Sequence, residues 1–209
     1  MKKSVLMVAL VLTLVGCSTT APDRSARTAA TLDKLQQDSL KARQQTESVQ
    51  TSLDGLMNAT PERLRAAYDK YASDVTKMKE YAAAIREDDS DLQKNGAAYL
   101  NKWQKDASSI SNPELRQMAE QRRNEIAQKF RGMTTAYSAA AQSFDAFLRD
   151  IDDVRKVIGN DLTPTGQAGV HNTAVVQNVK PEATQVSSAI EAAERAIADF
   201  RSQITPTAK

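Results

Sequence analysis

The sequence has few of the residues on which metal sites and most catalytic sites depend. It contains one cysteine and one histidine in 209 residues. Structural zinc takes four ligands, usually cysteine and histidine, and di-iron bundles carry paired Glu-x-x-His motifs; neither set can be assembled here. The sequence also lacks a Gly-x-Ser-x-Gly elbow and a glycine-rich phosphate loop. We therefore expect no enzyme, no metal and no cofactor, and we interpret His171 as an exposed polar residue near a helix start.

Glycine and proline are also scarce, with seven and six residues, and no segment shows the sustained alternation of a strand. Apolar residues recur instead in steps of four and three, as in a left-handed coiled coil. Three segments carry this stripe: Leu64 to Ile110, Ile126 to Ile158, and Val179 to Ile204. Because short turns make successive helices antiparallel, the sequence predicts an all-α fold, an elongated coiled-coil-like bundle of three to four long helices. Residues 31–57 hold a weaker heptad and are expected to fray or pack loosely.

Capping residues and helix breakers predict where these helices begin and end. Thr60-Pro61, Asn112-Pro113 and Thr163-Pro164 each place a capping residue before a proline, which is typical of a helix start; Ser111 is an alternative cap for the second of these. Gly159 is the expected C-terminal stop of the preceding helix. Pro181 is expected to kink or interrupt the last helix near Lys180.

The only cysteine, Cys17, follows a short apolar run. Residues 4–15 are too few to cross a bilayer, and with two lysines before them they are typical of a secretory signal. The stretch Leu14-Val15-Gly16-Cys17 resembles the bacterial lipobox. That resemblance implies that residues 1–16 are removed as a lipoprotein signal peptide and that acylated Cys17 holds the protein to a membrane. The alternative is an ordinary signal peptide with a chance cysteine.

The residues after the anchor predict location and domain organisation. Ser18 stands where aspartate favours inner-membrane retention in lipoprotein sorting, so it implies the outer membrane, with the protein facing the periplasm. Removing the two lysines of residues 1–16 from 28 basic residues leaves 26, against 26 acidic ones, and a neutral chain argues against nucleic-acid binding. We interpret residues 17–30 as an acylated flexible tether, 31–204 as one helical bundle domain, and 205–209 as a flexible tail.

Three stretches of the sequence resemble a known family. "AAYDKYASDV", "SSISNPELRQMAEQRR" and "IGNDLTPTG" are similar to motifs of a family of bacterial envelope proteins known only as a domain of unknown function. The resemblance covers roughly residues 60–204 and implies the same helical layout. It brings no assigned reaction, ligand or catalytic residue.

Two residues interrupt the apolar stripe of the second segment. Asp89 lies at a seam position, where a polar residue can set the register of the helices. A buried carboxylate without a partner is energetically costly, so Lys129 on the facing helix is the predicted partner of Asp89. Gly96 has no side chain and leaves space at the seam. Ile126 and Phe130 on the facing helix are the candidate residues to fill that space. The alternative at Gly96 is a weak point where the helix bends.

The acidic runs at residues 86–91 and 149–155 raise the question of cation binding. Calcium loops place ligands at alternate positions around a glycine at a sharp turn, and neither run has that glycine. The antiparallel register also predicts that the runs lie far apart. We interpret both as solvated helix faces.

The chain ends in Lys209, after a Thr205-Pro206 pair that predicts the end of the last helix. An acylated cysteine, a helical rod and a terminal lysine resemble the layout of the major outer-membrane lipoprotein of enteric bacteria, whose lysine is joined to peptidoglycan. That resemblance implies a peptidoglycan link at Lys209, with chance placement as the alternative. Four antiparallel helices would return the tail to the tethered end, and three would leave it at the far end.

Two classes of function follow from these predictions. The first is a structural, scaffold or envelope-stress interaction protein with an envelope protein or peptidoglycan as partner. The second is a binding module that holds a lipid, a peptidoglycan fragment or a partner helix in a groove between helices. An open channel lined by the seam aromatics would favour binding, and a closed seam would favour the rod. These aromatics are Tyr68, Tyr71, Tyr99, Trp103, Phe130, Tyr137, Phe144 and Phe147. The oligomeric state is left open.

Overall fold

A computed structural model describes the backbone of residues 21–204, with the side chains of Thr28 and of residues 30–204. This part of the chain forms five α-helices and no strand, which confirms the all-α prediction. The helices are α1 (Ala21–Met57), α2 (Leu64–Ser108), α3 (Pro113–Asn160), α4 (Pro164–His171) and α5 (Ala174–Ile204). None of them is long and apolar enough to cross a membrane.

Contacts between the four long helices show that neighbouring helices run antiparallel. Between α2 and α3, the Tyr71 hydroxyl donates to the carbonyl of Ile151 at 2.8 Å, whereas Arg86, further along α2, pairs with Asp145, nearer the start of α3, at 2.7 Å. Helix α3 also packs on α5, and α1 packs on both α2 and α5. The short helix α4 contacts α3 and α1.

The core follows the predicted apolar stripes. Because four long helices share one interior, each stripe removes its side chains from water, and a fully buried Leu, Ile or Phe stabilises the fold by about 1.5–3 kcal/mol. Among the large side chains that are fully buried are Leu32, Leu35, Leu56, Tyr71, Met78, Ile85, Ile126, Met133, Tyr137, Phe144, Phe147 and Ile151.

The first helix differs from its prediction in start and in packing. Its backbone is helical from Ala21, so residues 21–30 of the segment expected to be a flexible tether, 17–30, already belong to α1. Residues 31–57 pack closely, against the expectation of a loose segment. Their small and polar middle fits the interior because its polar groups are satisfied: Thr46 Oγ1 donates to its own helix at 2.9 Å, and Gln45 Nε2 donates to the α2 backbone at 3.0 Å.

The predicted helix starts are confirmed at two of three places. Asn112 caps α3 and Thr163 caps α4, each accepting a hydrogen bond from a backbone N–H in the first turn of its helix. Thr60 does not cap α2. That helix begins at Leu64, after a turn that the Thr60 carbonyl helps to close by accepting from the Arg63 N–H at 2.9 Å.

Gly159 does not end its helix and Pro181 does not interrupt its helix, against the prediction; a kink at Pro181 stays a prediction. No described residue has a positive φ, and α3 continues through Gly159 to Asn160. The space beside Gly159 holds the Tyr68 side chain, whose Oη lies 2.3 Å from the place of a Cβ. Helix α5 runs through Pro181, and the fourth segment breaks earlier, at residues 172–173.

Candidate functional site

An apolar groove lies beside the first turns of α1 and the last turns of α5. It consists of two adjoining cavities of about 670 and 310 Å³, which share Thr28, Tyr99 and Phe200. We call the two together the terminal groove. Ligand pockets usually measure about 300–1,000 Å³ and are lined mainly by apolar and aromatic side chains. The terminal groove therefore has the size and lining of a ligand site.

The groove exists because α2 and α3 extend past the helices that cover them elsewhere. Between Leu92 in α2 and Ile126 in α3, the only buried residue is Ala107. Thr28, in the second turn of the described part of α1, and Ile204, the last residue of α5, both line the groove. Among the described residues, four helices enclose the core up to this point, and the core opens where α1 begins and α5 ends.

Four aromatic rings shape the groove wall. Phe130 packs edge-to-face on Phe200, with ring centroids 5.8 Å apart and planes at 64°. Tyr99 and Trp103 make a second edge-to-face pair with the same separation. The Phe130 ring fills the space at Gly96, where its Cζ lies 1.7 Å from the place of a Cβ. The prediction of a filler at Gly96 is therefore confirmed, and Phe130 is that residue.

Two cations stand at the mouth of the larger cavity. Lys102 pairs with Asp106 at 3.4 Å, and Arg122 pairs with Glu125 at 3.1 Å. Arg122 also donates to the Gln203 carbonyl at 2.6 Å, which ties α3 to the end of α5. Both cations are about half exposed, at 58% and 45%. Exposed ion pairs of this kind contribute only about 0–1 kcal/mol, so these cations can exchange partners at little cost.

The aromatic seam is thus closed along most of its length and open at one end. Tyr71, Tyr137, Phe144 and Phe147 are fully buried in the core. The aromatic residues that line the terminal groove are Tyr99, Trp103, Phe130 and Phe200. Phe200 is a groove residue that the sequence interpretation had assigned only to the apolar stripe of the last helix.

The predicted pair of Asp89 and Lys129 is not brought together. Asp89 is half-buried and accepts a hydrogen bond from Ser138 Oγ at 2.8 Å. Lys129 points to the other neighbour of α3 and pairs with Asp199 of α5 at 2.9 Å. The prediction was wrong because α3 contacts both α2 and α5, and a single heptad stripe does not distinguish the two sides.

Helix α2 has two buried aspartates, Asp74 and Asp88, and Asp88 is the neighbour of the predicted residue. Its side chain is 6% exposed, it accepts a hydrogen bond from Lys34 Nζ on α1, and it lies 3.4 Å from the Tyr137 hydroxyl. Burial raises the pKa of Asp88, and the Lys34 hydrogen bond acts in the opposite direction. The same hydrogen bond raises the pKa of Lys34. This cluster joins α1, α2 and α3 and takes no part in the groove.

The second acidic run is also less solvated than predicted. Asp150 is buried, and Asp152 is 13% exposed. Asp152 binds Lys79 at 2.6 Å across α2 and α3, and it binds Arg155 and Lys156 at 2.7 and 3.0 Å. Burial alone would raise the pKa of Asp152, but the hydrogen bonds from these three cations lower it well below the usual range of a carboxyl. Within residues 21–204, no group of three or more metal-ligating side chains is placed to hold an ion.

His171 lies at the end of α4 and is exposed, as predicted. Its Nδ1 is 3.2 Å from the Met57 carbonyl at the end of α1. Gln167 donates to the carbonyls of Leu56 at 2.6 Å and Ala59 at 3.1 Å. A helix leaves its last four carbonyls without helical partners. The two side chains therefore cap α1, which gives His171 a structural role.

The residues proposed for anchoring lie outside the described part of the chain. These are the signal segment 1–16, Cys17, Ser18 and Lys209. The geometry that bears on them is the position of the two described ends. Arg201 near the end of α5 pairs with Asp33 near the start of α1, so both ends lie on the side of the terminal groove.

Comparison with protein families gives one match. A family model described as a protein of unknown function (DUF2959) matches residues 26–205. The match covers α1 as well as the 60–204 region that carries the motif resemblance. Comparisons with curated proteins and with solved structures give no match.

Proposed function

The chain belongs to the DUF2959 family of proteins of unknown function, and on that premise we propose a function from the site itself. The protein is a lipid-anchored interaction protein of the cell envelope. Acylated Cys17 fixes it to a membrane, and an elongated antiparallel helical bundle presents the terminal groove as its binding element. It works by binding and not by catalysis.

The observation that carries this proposal is that the aromatic seam, closed in the middle of the bundle, opens at the terminal groove. The fully buried Tyr71, Tyr137 and Phe147 make a closed core that keeps the bundle rigid. Trp103 and Phe130 instead border a groove that reaches the surface. An open channel lined by these aromatics favours a binding module, and the closed remainder suits a rod that holds the groove in place.

The position of the groove supports an anchor at the same end. Cys17 precedes the start of α1 at Ala21 by four residues, which span at most about 14 Å. Thr28, a lining residue of the groove, follows seven residues later, or about 10 Å along a helix. Stable anchoring takes at least two acyl chains, and an acylated Cys17 resembling that of lipoproteins would supply them. The groove would then face the membrane surface.

A peptidoglycan link at Lys209 receives no support from this geometry. The chain has four long helices, and the ion pair of Arg201 with Asp33 sets the end of α5 beside the start of α1. The five residues 205–209 reach at most about 17 Å. Because α5 ends beside the start of α1, on the side of the predicted anchor, we favour the groove over Lys209 as the interaction site.

The anchor is tested by fractionating cells that express the full-length protein. Cys17→Ser is expected to move the protein out of the membrane fraction, because no acyl chain can be attached. Ser18→Asp is the matched control: the protein stays with membranes but shifts from the outer towards the inner one. Retention of the Cys17→Ser protein in the outer membrane at the wild-type level would show that Cys17 is not the anchor.

A further inference from the structure

We propose that the terminal groove binds one acyl chain of an anionic phospholipid from the membrane to which the protein is anchored. The inference rests on the proposed function, because it needs the groove to face a lipid surface. It names the ligand class, which the proposed function leaves open. Three independent features of the groove lead to it: its lining, its charged mouth and its place on the chain.

The lining fits a long apolar chain. The larger cavity runs between Trp103 of α2, Ile126 of α3 and Ile204 of α5, and the smaller one continues inward past Phe130 to Leu32 of α1. Thr31, Asn95 and Gln203 also line this path, but most of its surface is apolar, which favours a hydrocarbon chain over a sugar or a peptide backbone. Burying methylene groups gains about 0.8 kcal/mol for each CH₂ when they come from water, but an acyl chain in the bilayer is already in an apolar environment. The apolar lining therefore accepts the chain at little cost, and the charged groups at the mouth supply the preference for the groove.

The charged groups at the mouth fit a phosphate. Two of the three charged lining residues, Lys102 and Arg122, are cations, and the third is Asp106. Their ion pairs lie at the surface and are therefore weak. An Arg or Lys close to an anionic membrane contributes about 1 kcal/mol to binding. A lipid whose acyl chain enters the groove leaves its phosphate at this mouth, where Arg122 can bind it.

The place of the groove on the chain decides between a lipid and other apolar partners. Thr28 of α1 lines both cavities, and the predicted anchor Cys17 lies a short distance before it in the sequence. The anchor thus keeps the groove at a lipid surface permanently. At that surface, phospholipid is present at far higher local concentration than any partner helix, so it is the occupant we assign.

The single tryptophan of the chain makes occupancy measurable. Trp103 lines the groove, and bromine atoms quench tryptophan fluorescence at close range. The full-length acylated protein is placed on vesicles of phosphatidylglycerol with brominated acyl chains, and vesicle flotation is measured on the same sample. We expect the protein to float and Trp103 to lose most of its fluorescence.

Two variants separate binding in the groove from mere closeness to the membrane. Ala98 is exposed and lines the groove, and Ala97, also exposed, does not line it. Ala98→Phe fills the groove and should restore most of the fluorescence, while Ala97→Phe should leave quenching unchanged. Equal quenching in both variants would overturn the inference, because it would place Trp103 near lipid without an acyl chain in the groove.

The head-group contribution has its own matched pair. Arg122→Gln should raise the phosphatidylglycerol concentration for half-maximal quenching about fivefold, the factor for one surface cation, and Arg131→Gln should not change it. Arg131 is exposed and lies outside the groove lining.

Failure of the inference and failure of the anchor give different results. A protein that floats without quenching keeps its anchor and refutes lipid in the groove. A protein that does not float refutes the anchor and, with it, the lipid assignment. Quenching by brominated free fatty acid at concentrations where the brominated phospholipid has no effect would also overturn the assignment.

Discussion

Replacing Gly96 by alanine is expected to destabilise the protein, although alanine is normally the better helix residue. Alanine gains up to about 1 kcal/mol over glycine within a helix. At Gly96, however, the new Cβ would lie 1.7 Å from Phe130 Cζ and 2.4 Å from both Cε atoms. The ring must move by about 2 Å to reach an ordinary contact distance, and such overpacking costs about 1–3 kcal/mol. We therefore expect Gly96→Ala to lower the free energy of unfolding by about 0–2 kcal/mol.

Gly132 provides the matched control. It lies within α3, and no atom comes within 4 Å of a Cβ placed there. Gly132→Ala should raise the free energy of unfolding by up to about 1 kcal/mol, so the two variants should differ by about 1–3 kcal/mol. The measurement is urea denaturation followed by far-UV circular dichroism, with the slope compared as well as the midpoint.

A double-mutant cycle identifies Phe130 as the cause. In a Phe130→Leu background the ring is gone, so Gly96→Ala should become neutral or stabilising. The reasoning is refuted if Gly96→Ala stabilises the wild-type protein as much as Gly132→Ala does, because Phe130 would then not occupy the space at Gly96.

Two carboxylates give further predictions by the same unfolding measurement, made across a range of pH. Asp152→Asn should lower the free energy of unfolding by about 1–3 kcal/mol at neutral pH. The folded-state pKa of Asp152 is lowered. The wild-type protein should therefore lose this extra stability as the pH falls below 3.8, the ordinary pKa of the carboxyl. The exposed Asp153→Asn should show little change at any pH. Lys34→Ala should lower the free energy of unfolding by about 1–3 kcal/mol, because it leaves Asp88 buried without its cation. The control variant Lys41→Ala should lower it by only about 0–1 kcal/mol. Burial raises the pKa of Asp88, so Asp88 takes up a proton as the pH falls. The difference in unfolding free energy between Lys34→Ala and the wild type should then become smaller. A difference that grows at low pH would contradict this explanation.

Heptad spacing predicts the core well because each stripe faces one shared interior. Tyr71, Met78 and Ile85 follow steps of seven in α2, and all three are fully buried. At Gly96 the antiparallel register narrowed the filling residue to Ile126 or Phe130, with a bend of the helix as the alternative; the structure selects Phe130.

The buried carboxylate was missed because α2 contacts two helices and not one. If α2 packed on one helix only, its heptad pattern would place Asp89 in the interior. Because α2 contacts both α1 and α3, its buried face is wider and includes Asp88 and Asp74. These two residues are fourteen positions apart, two full heptads, and both meet α1. That spacing is a signal in the sequence, although it becomes informative only when α1 is known to pack on α2.

The terminal groove could not be predicted from the stripe that lines it. After the interruptions at Asp89 and Gly96, the apolar spacing continues through Tyr99 and Trp103 in the same pattern as the closed core. Whether such residues are covered depends on how far α1 and α5 reach along α2 and α3. Those lengths depend on where each helix begins and ends, and Thr60 shows that turn chemistry can move a helix start by several residues.

The most direct test is the intact mass of the protein that is expressed from the complete sequence and purified from the membranes of the cells that produce it. The position of the groove at a lipid surface depends on Cys17 being the point of attachment. We expect a chain that begins at Cys17, without residues 1–16, and whose mass exceeds that of the polypeptide by its acyl groups, with fragmentation placing the added mass on Cys17. A chain that carries no lipid, or one whose added mass lies elsewhere, would contradict the anchor and the assignment of the groove to lipid.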